Sequence, residues 1–463
     1  MDGPAFDDPG PPLPTPVSRV RRLLTVAILL TLVVSMVVLA FVSGRGVITA
    51  PPPAQPVATA ATLKADASRI AVVDATGGLS TTDALGGSLV RYGDAGTKFS
   101  FPAWSPDGTR IAVVADRPDG TDIDVFTTPA AGATPAAPAA PAVVYSSGDR
   151  PPFYVYWSPD GHDVSFLTTE LDGLALRLGP ADASTAAEVI RRGSPLYWTW
   201  ADPTRLLVHS GGEGLAGFFG EVRPDGVATE PRAIQAGAFR VPAISSDGRF
   251  RAFVAPGEAT PGQIVLETRD RATSHSFDVF GRAAVEFGGG SDELAFVAAA
   301  EQGPDLPLPV GPLRLMDATT GGVRTLLGGR VIAFFWSPDG KTIAALSAPE
   351  PGDDNVAVAG RATLIASAPA PAVTTGVKLR VSFANVETGA IRSHWSFAIA
   401  DLFINQVLPF FDQYALSHRV WSPDGTSIAL PVVADGAEQV MVIQADGSGA
   451  RKVADGVAGF WSP

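Results

Sequence analysis

The sequence predicts an all-β fold: a closed ring of small antiparallel sheets, an eight-bladed β-propeller, or a seven-bladed one if a weaker repeat marker is spurious. Three observations carry this. Trp-Ser-Pro-Asp-Gly occurs four times, at Trp104–Gly108, Trp157–Gly161, Trp336–Gly340 and Trp421–Gly425. Each copy is flanked by apolar strand patterns, such as Arg110–Ala115 or Lys341–Leu346 on its C-terminal side. The last residues, Phe460-Trp461-Ser462-Pro463, begin a further copy. A strand–turn–strand unit recurring at tens of residues is one supersecondary element copied in series.

Within each unit the turn chemistry is specific. Pro106, Pro159, Pro338 and Pro423 preset φ near −65° at the first turn position. Asp107, Asp160, Asp339 and Asp424 can accept from nearby backbone amides. Gly108, Gly161, Gly340 and Gly425 supply the left-handed conformation that other residues resist. Trp104, Trp157, Trp336 and Trp421 offer a large apolar plate for packing between units. Degenerate copies fill the gaps: Trp200 before Arg205–His209, Ile244-Ser-Ser-Asp-Gly248 before Arg249–Val254, and Phe287 before Glu293–Val297. Most spacings between markers suit four strands per unit. The interval from Trp336 to Trp421 is longer and carries insertions.

The two ends complement each other. Val457–Trp461 is a first strand with no second strand after it. Arg69–Asp74 is a second strand with no first before it, and Gly78–Asp83 and Ser88–Tyr92 supply the third and fourth. Pairing the last strand with Arg69–Asp74 closes the ring and removes the exposed edges that invite aggregation.

Before this body, Leu23–Val42 is twenty residues without a charge. At ~1.5 Å per residue it is long enough to cross a bilayer core. A cleaved signal peptide is the competing reading, but such regions are shorter, about 7–15 residues. Arg19, Arg21 and Arg22 precede the span and only Arg45 closely follows it. The positive-inside rule then puts the N-terminus in the cytoplasm and the bulk outside. The expected organisation is a disordered cytoplasmic tail at 1–22, a transmembrane helix at 23–42, a Pro/Ala-rich tether at 43–64 and the propeller at 65–463. The chain is 46% apolar and 17% charged, with no cysteine and a net charge of −13. An acidic body excludes nucleic acid as the expected partner.

The repeated Trp-Ser-Pro-Asp-Gly followed by Lys/Arg-x-Ile-Ala resembles the WD-like propeller repeat of the TolB-type family. The resemblance covers about residues 65–463. It implies a propeller fold, and its members include periplasmic translocation proteins and propeller domains of prolyl oligopeptidase-type enzymes. The expectation is that the chain departs from TolB proper in having an anchor where a cleaved signal would be and in lacking a separate N-terminal α/β domain. The Ser-Pro-Asp-Gly residues are structural in the family, so the resemblance implies no activity.

The chain offers few residues patterned for chemistry. His162, His209, His275, His394 and His418 lie on different units at no metal-site spacing. No Gly-x-Ser-x-Gly nucleophile elbow occurs. Gly212-Glu-Gly-Leu-Ala-Gly217 matches a dinucleotide fingerprint formally, but Phe218–Val222 after it reads as a strand, whereas pyrophosphate needs a helix N-terminus. Asp116, Asp119, Asp122 and Asp124 crowd one hairpin, as a Ca²⁺ site or a solvated turn would. No catalytic residue, metal ligand or cofactor is expected from these patterns.

The insertions are more informative. Glu301–Gly311, Pro349–Gly376 and Ala398–Ala415 fall on one face, on consecutive units, and long loops on rigid scaffolds are where binding usually resides. Leu402–Phe411 is strongly apolar. It either folds over a sheet edge or plugs the channel, or presents Phe403, Ile404, Leu408, Phe410 and Phe411 to a partner. The expected function is a membrane-anchored, extracytoplasmic, non-catalytic module binding a protein, peptide or glycan on that face. The alternatives are an envelope hydrolase or lyase with a channel site, and a sensor or assembly subunit.

Overall fold

A computed structural model describes residues 68–129, 140–211, 217–234, 241–255, 262–299, 308–348 and 377–463. All belong to one compact unit, Ile48–Pro463. The tail, the Leu23–Val42 span, the tether, the Pro349–Gly376 insertion, residues 301–307, residues 130–139 and the Gly212–Gly217 loop apart from Gly217 lie outside the described residues. Among those described, no helix is long and apolar enough to cross a membrane.

The body is all-β and antiparallel. Four sheets have four strands each. One runs Lys98–Trp104, Arg110–Arg117, Gly120–Thr127, Ala142–Ser147; the next two begin at Pro152–Trp157 and Leu196–Asp202. A thirteen-strand run then extends from Ala243–Ile244 to Ala450–Asp455. Inside it, Ser274–Phe287 and Val323–Trp336 are fourteen-residue strands. Each ends one sheet with its first half and opens the next with its second. Ile391–Ile399 meets Ser427–Ala434 through only two residue pairs, Ala398↔Val433 and Ile399↔Val432.

The remaining sheet joins the two ends of the body. Ala458–Trp461 pairs antiparallel with Arg69–Val73, in the register Ile70↔Trp461 and Val73↔Ala458. Leu79–Asp83 and Val90–Tyr92 complete it. The ring is therefore closed, as in a β-propeller.

The repeat residues show why it closes. In every full copy the serine hydroxyl donates to the turn aspartate, at 2.6 Å for Ser105–Asp107 and 2.7 Å for Ser337–Asp339. The glycine amide donates back to the serine carbonyl, and the four glycines have φ between 68° and 71°. At Gly340 a Cβ would lie 2.2 Å from the Gly289 carbonyl oxygen, so there the hydrogen side chain also permits close approach of the neighbouring turn. The tryptophans link sheet to sheet. Trp157 Nε1 donates to Ala103 O (2.9 Å), Trp336 to Glu286 O (3.2 Å) and Trp421 to Phe335 O (2.9 Å). Trp104 donates to Phe460 O (3.1 Å), so the same link crosses the closure. Each acceptor lies one residue before the neighbouring sheet's own marker.

Candidate functional site

The site that these sheets frame is the centre of the ring, and the Ala398–Ala415 insertion occupies it. Pro409 interrupts any long helix, as its missing amide requires. The segment forms a π-helical turn at Phe403–Val407, a 3-10 turn at Leu408–Phe410 and an α-turn at Phe411–Tyr414.

Its contacts reach inner strands around the ring. Tyr154 donates to Gln413 O (2.6 Å), and Gln413 Nε2 donates to the Tyr154 hydroxyl and to Trp198 O, both at 2.9 Å. Phe411 sits edge-on to Phe334 and Phe335. Tyr414 packs on Phe101 and Tyr154. His418, just after the insertion, packs on Phe460 and donates from Nε2 to Phe101 O (3.1 Å). Its Nδ1 then accepts from Ser417 (2.6 Å). Burial lowers the His418 pKa to about 4, so the ring is neutral at physiological pH.

This placement corrects the docking reading for three of the five candidate partner residues. Phe403, Leu408 and Phe411 are at most 2% exposed, because the ring's aromatic inner strands offer them a drier environment than solvent does. Ile404 is half-buried, and Phe410 alone stands out, at 48% exposure. The insertion is a plug.

Beneath the plug lies a feature that sequence reading missed. Asp412, on the plug, is buried; Oδ1 accepts from the Gln413 amide (3.0 Å) and Oδ2 has no partner. Glu286, one residue before the Phe287 marker, also has an inaccessible, unpartnered oxygen, Oε2. Burial raises the Asp412 pKa to about 7. Burial, and then the Asp412 charge, raise that of Glu286 to about 8. Tyr156, at the equivalent place on another strand, bonds Thr199 and the Trp200 backbone and is raised by burial to about 12. Glu286 is separated from Asp412 by over a hundred residues, and each sits in an ordinary apolar stretch, so no local signal announces the pair.

Elsewhere the sequence candidates resolve into structural roles. The Trp, Pro, Asp and Gly of the four full repeats all lie in the turns described above. In the acidic hairpin Arg117 pairs with both Asp122 and Asp124, and Thr121 donates to Asp116 (2.8 Å). Among the described residues no group of His, Asp and Glu is arranged to hold a metal ion. His162 is exposed, His209 is buried edge-on to Phe219, and His275 faces the Thr319 carbonyl at 3.1 Å.

No protein-family model matches the sequence. No curated protein matches it either. Solved structures do resemble it. A dihydro-heme d1 dehydrogenase in complex with DHE shares 12% identity over 86% of this chain and 76% of its own, with a TM-score of 0.51. TolB from Acinetobacter baumannii shares 14% over 80% of this chain and 68% of its own, with a TM-score of 0.38. The C-terminal WD40 domain of Sif2 shares 12% over 79% of this chain and 90% of its own, with a TM-score of 0.45. At these identities the likeness concerns the fold alone.

Proposed function

We propose that the chain is a membrane-anchored, extracytoplasmic, eight-bladed propeller that binds a protein, peptide or glycan partner on its insertion-bearing face without catalysis. The count of eight is supported by dividing the long run at its two fourteen-residue strands and at its two-pair junction. The anchor is supported by the uncharged span Leu23–Val42 and the arginines before it. The observation that carries the binding reading is the plug. It fills the channel, where a propeller could otherwise place an active site, and leaves Phe410 exposed on the insertion-bearing face.

A photo-crosslinking amino acid at position 410, in the full chain in intact cells, is expected to capture a discrete partner. The same group at Val227, exposed on the opposite face, is expected to capture none. No adduct at 410, or the same adducts at both, rejects the face. A hydrolase or lyase is the second reading, favoured by the Glu286–Asp412 pair. It requires the plug to move, and an envelope-polymer cleavage assay in which Glu286→Gln retains full turnover would eliminate it.

A further inference from the structure

A cavity lies on the opposite face, at the strand ends that carry the Trp-Ser-Pro-Asp-Gly turns. It measures about 630 Å³ and opens between the Leu196–Asp202 sheet and the next sheet round. Its walls carry four guanidinium groups, Arg205, Arg249, Arg251 and Arg269, against two carboxylates, Glu221 and Asp270. Asp202 also pairs with Arg205, and Asp247 and Asp292 with Arg249, so these arginines line the cleft as members of a paired network.

Within this network two acceptors are shared. Arg205 Nη1 (3.1 Å) and Arg269 Nη2 (2.9 Å) both donate to a single oxygen, Glu221 Oε2. Arg251 Nε (2.6 Å) shares Glu267 with Arg232. The Arg251 side chain is only 8% exposed, and its Nη2 is sealed from solvent with no hydrogen-bond partner. That nitrogen is closed to the cleft as well as to water, so the ligand contacts fall to Arg205, Arg249 and Arg269. Planar guanidinium groups in a confined space match the geometry of carboxylate and phosphate oxygens. The volume exceeds that of a simple ion and falls within the ~300–1,000 Å³ of small-molecule sites.

We propose that this cleft binds a small organic molecule bearing a phosphate or carboxylate group. Glu221 Oε2 stands where a ligand oxygen would bridge Arg205 and Arg269, so the glutamate is an internal competitor. That assigns opposite signs to two substitutions. Removing the competitor's charge with Glu221→Gln strengthens binding, and removing a donor with Arg269→Gln weakens it.

The test is calorimetric titration of the full chain at low ionic strength with inorganic phosphate, glucose 6-phosphate and glucuronate. The two sugar ligands distinguish a phosphate ester from a carboxylate source. Saturable binding of at least one is expected, about tenfold weaker in Arg269→Gln, tighter in Glu221→Gln and unchanged in Arg223→Gln. Arg223 is an exposed arginine paired with Asp225, outside the cavity. Arg249→Gln replaces Arg269→Gln if the latter lowers the melting temperature. Absence of saturable binding to all three probes overturns the proposal. So does equal weakening by Arg223→Gln, which marks diffuse charge attraction.

Discussion

Trp104 and Trp461 occupy equivalent places in the ring, yet their indole nitrogens fare differently. Trp104 Nε1 finds Phe460 O, whereas Trp461 Nε1 is buried without a partner. Trp104→Phe is expected to remove this buried hydrogen bond and cost about 1 kcal/mol beyond the lost ring area. Trp461→Phe removes an orphan donor and is expected to cost less, as urea denaturation of the two variants would reveal. The buried carboxyls make a second residue-scale prediction. Folded pKa values near 7 and 8 for Asp412 and Glu286 lie above those of the unfolded chain, so the native state retains protons that the unfolded state has lost. Their contribution is complete below about pH 4 and is lost as pH rises towards 8. His418, depressed to about 4, acts oppositely, losing stability as pH falls below about 6.5. Between pH 6.5 and 8 only the carboxyls of this group titrate. Stability should fall there, by an amount on the order of 1–3 kcal/mol, and Asp412→Asn should flatten the slope. A melting temperature independent of pH across that window would refute the assignment.

At the scale of elements, the plug acts as a hub. Gln413 satisfies the Tyr154 hydroxyl and the Trp198 carbonyl in a site without water access, so it specifies one seating of the segment among the inner strands. Gln413→Ala is expected to destabilise by roughly 2–4 kcal/mol, since buried partners are left unmet. Amide exchange across 403–418 should accelerate more than in the strands. Uniform acceleration throughout the ring would instead show the plug and ring to be one cooperative unit. The turns are local by comparison. Each Ser–Asp–Gly turn satisfies itself, so a change such as Asp339→Ala should perturb one hairpin by about 1 kcal/mol.

For the molecule as a whole, closure is the decisive event. Four residue pairs join Ala458–Trp461 to Arg69–Val73, and Trp104 borrows its acceptor from that last strand. A chain ending at Asp455 should expose the edge of Arg69–Val73 and lose cooperative unfolding. It should also associate through that edge, measurable as concentration-dependent mass in light scattering. A truncated chain that stays monomeric with an unchanged transition would mean that closure contributes little.

The all-β class, the turn positions and the pairing of the two ends were legible from the amino acids, because they depend on local periodicity and on turn residues whose backbone demands are intrinsic. The same locality explains the Trp markers, which recur because each makes one contact with one neighbour. The fate of Leu402–Phe411 was not legible: an apolar segment looks alike whether it meets a partner or its own ring, and only the aromatic inner strands chose the latter for Phe403, Leu408 and Phe411. Nor could the chain order announce that the charge of Asp412 would act on Glu286, or that Arg205 and Arg269 would share one carboxylate oxygen. Such meetings depend on how the ring brings distant segments together, and no spacing along the chain encodes them.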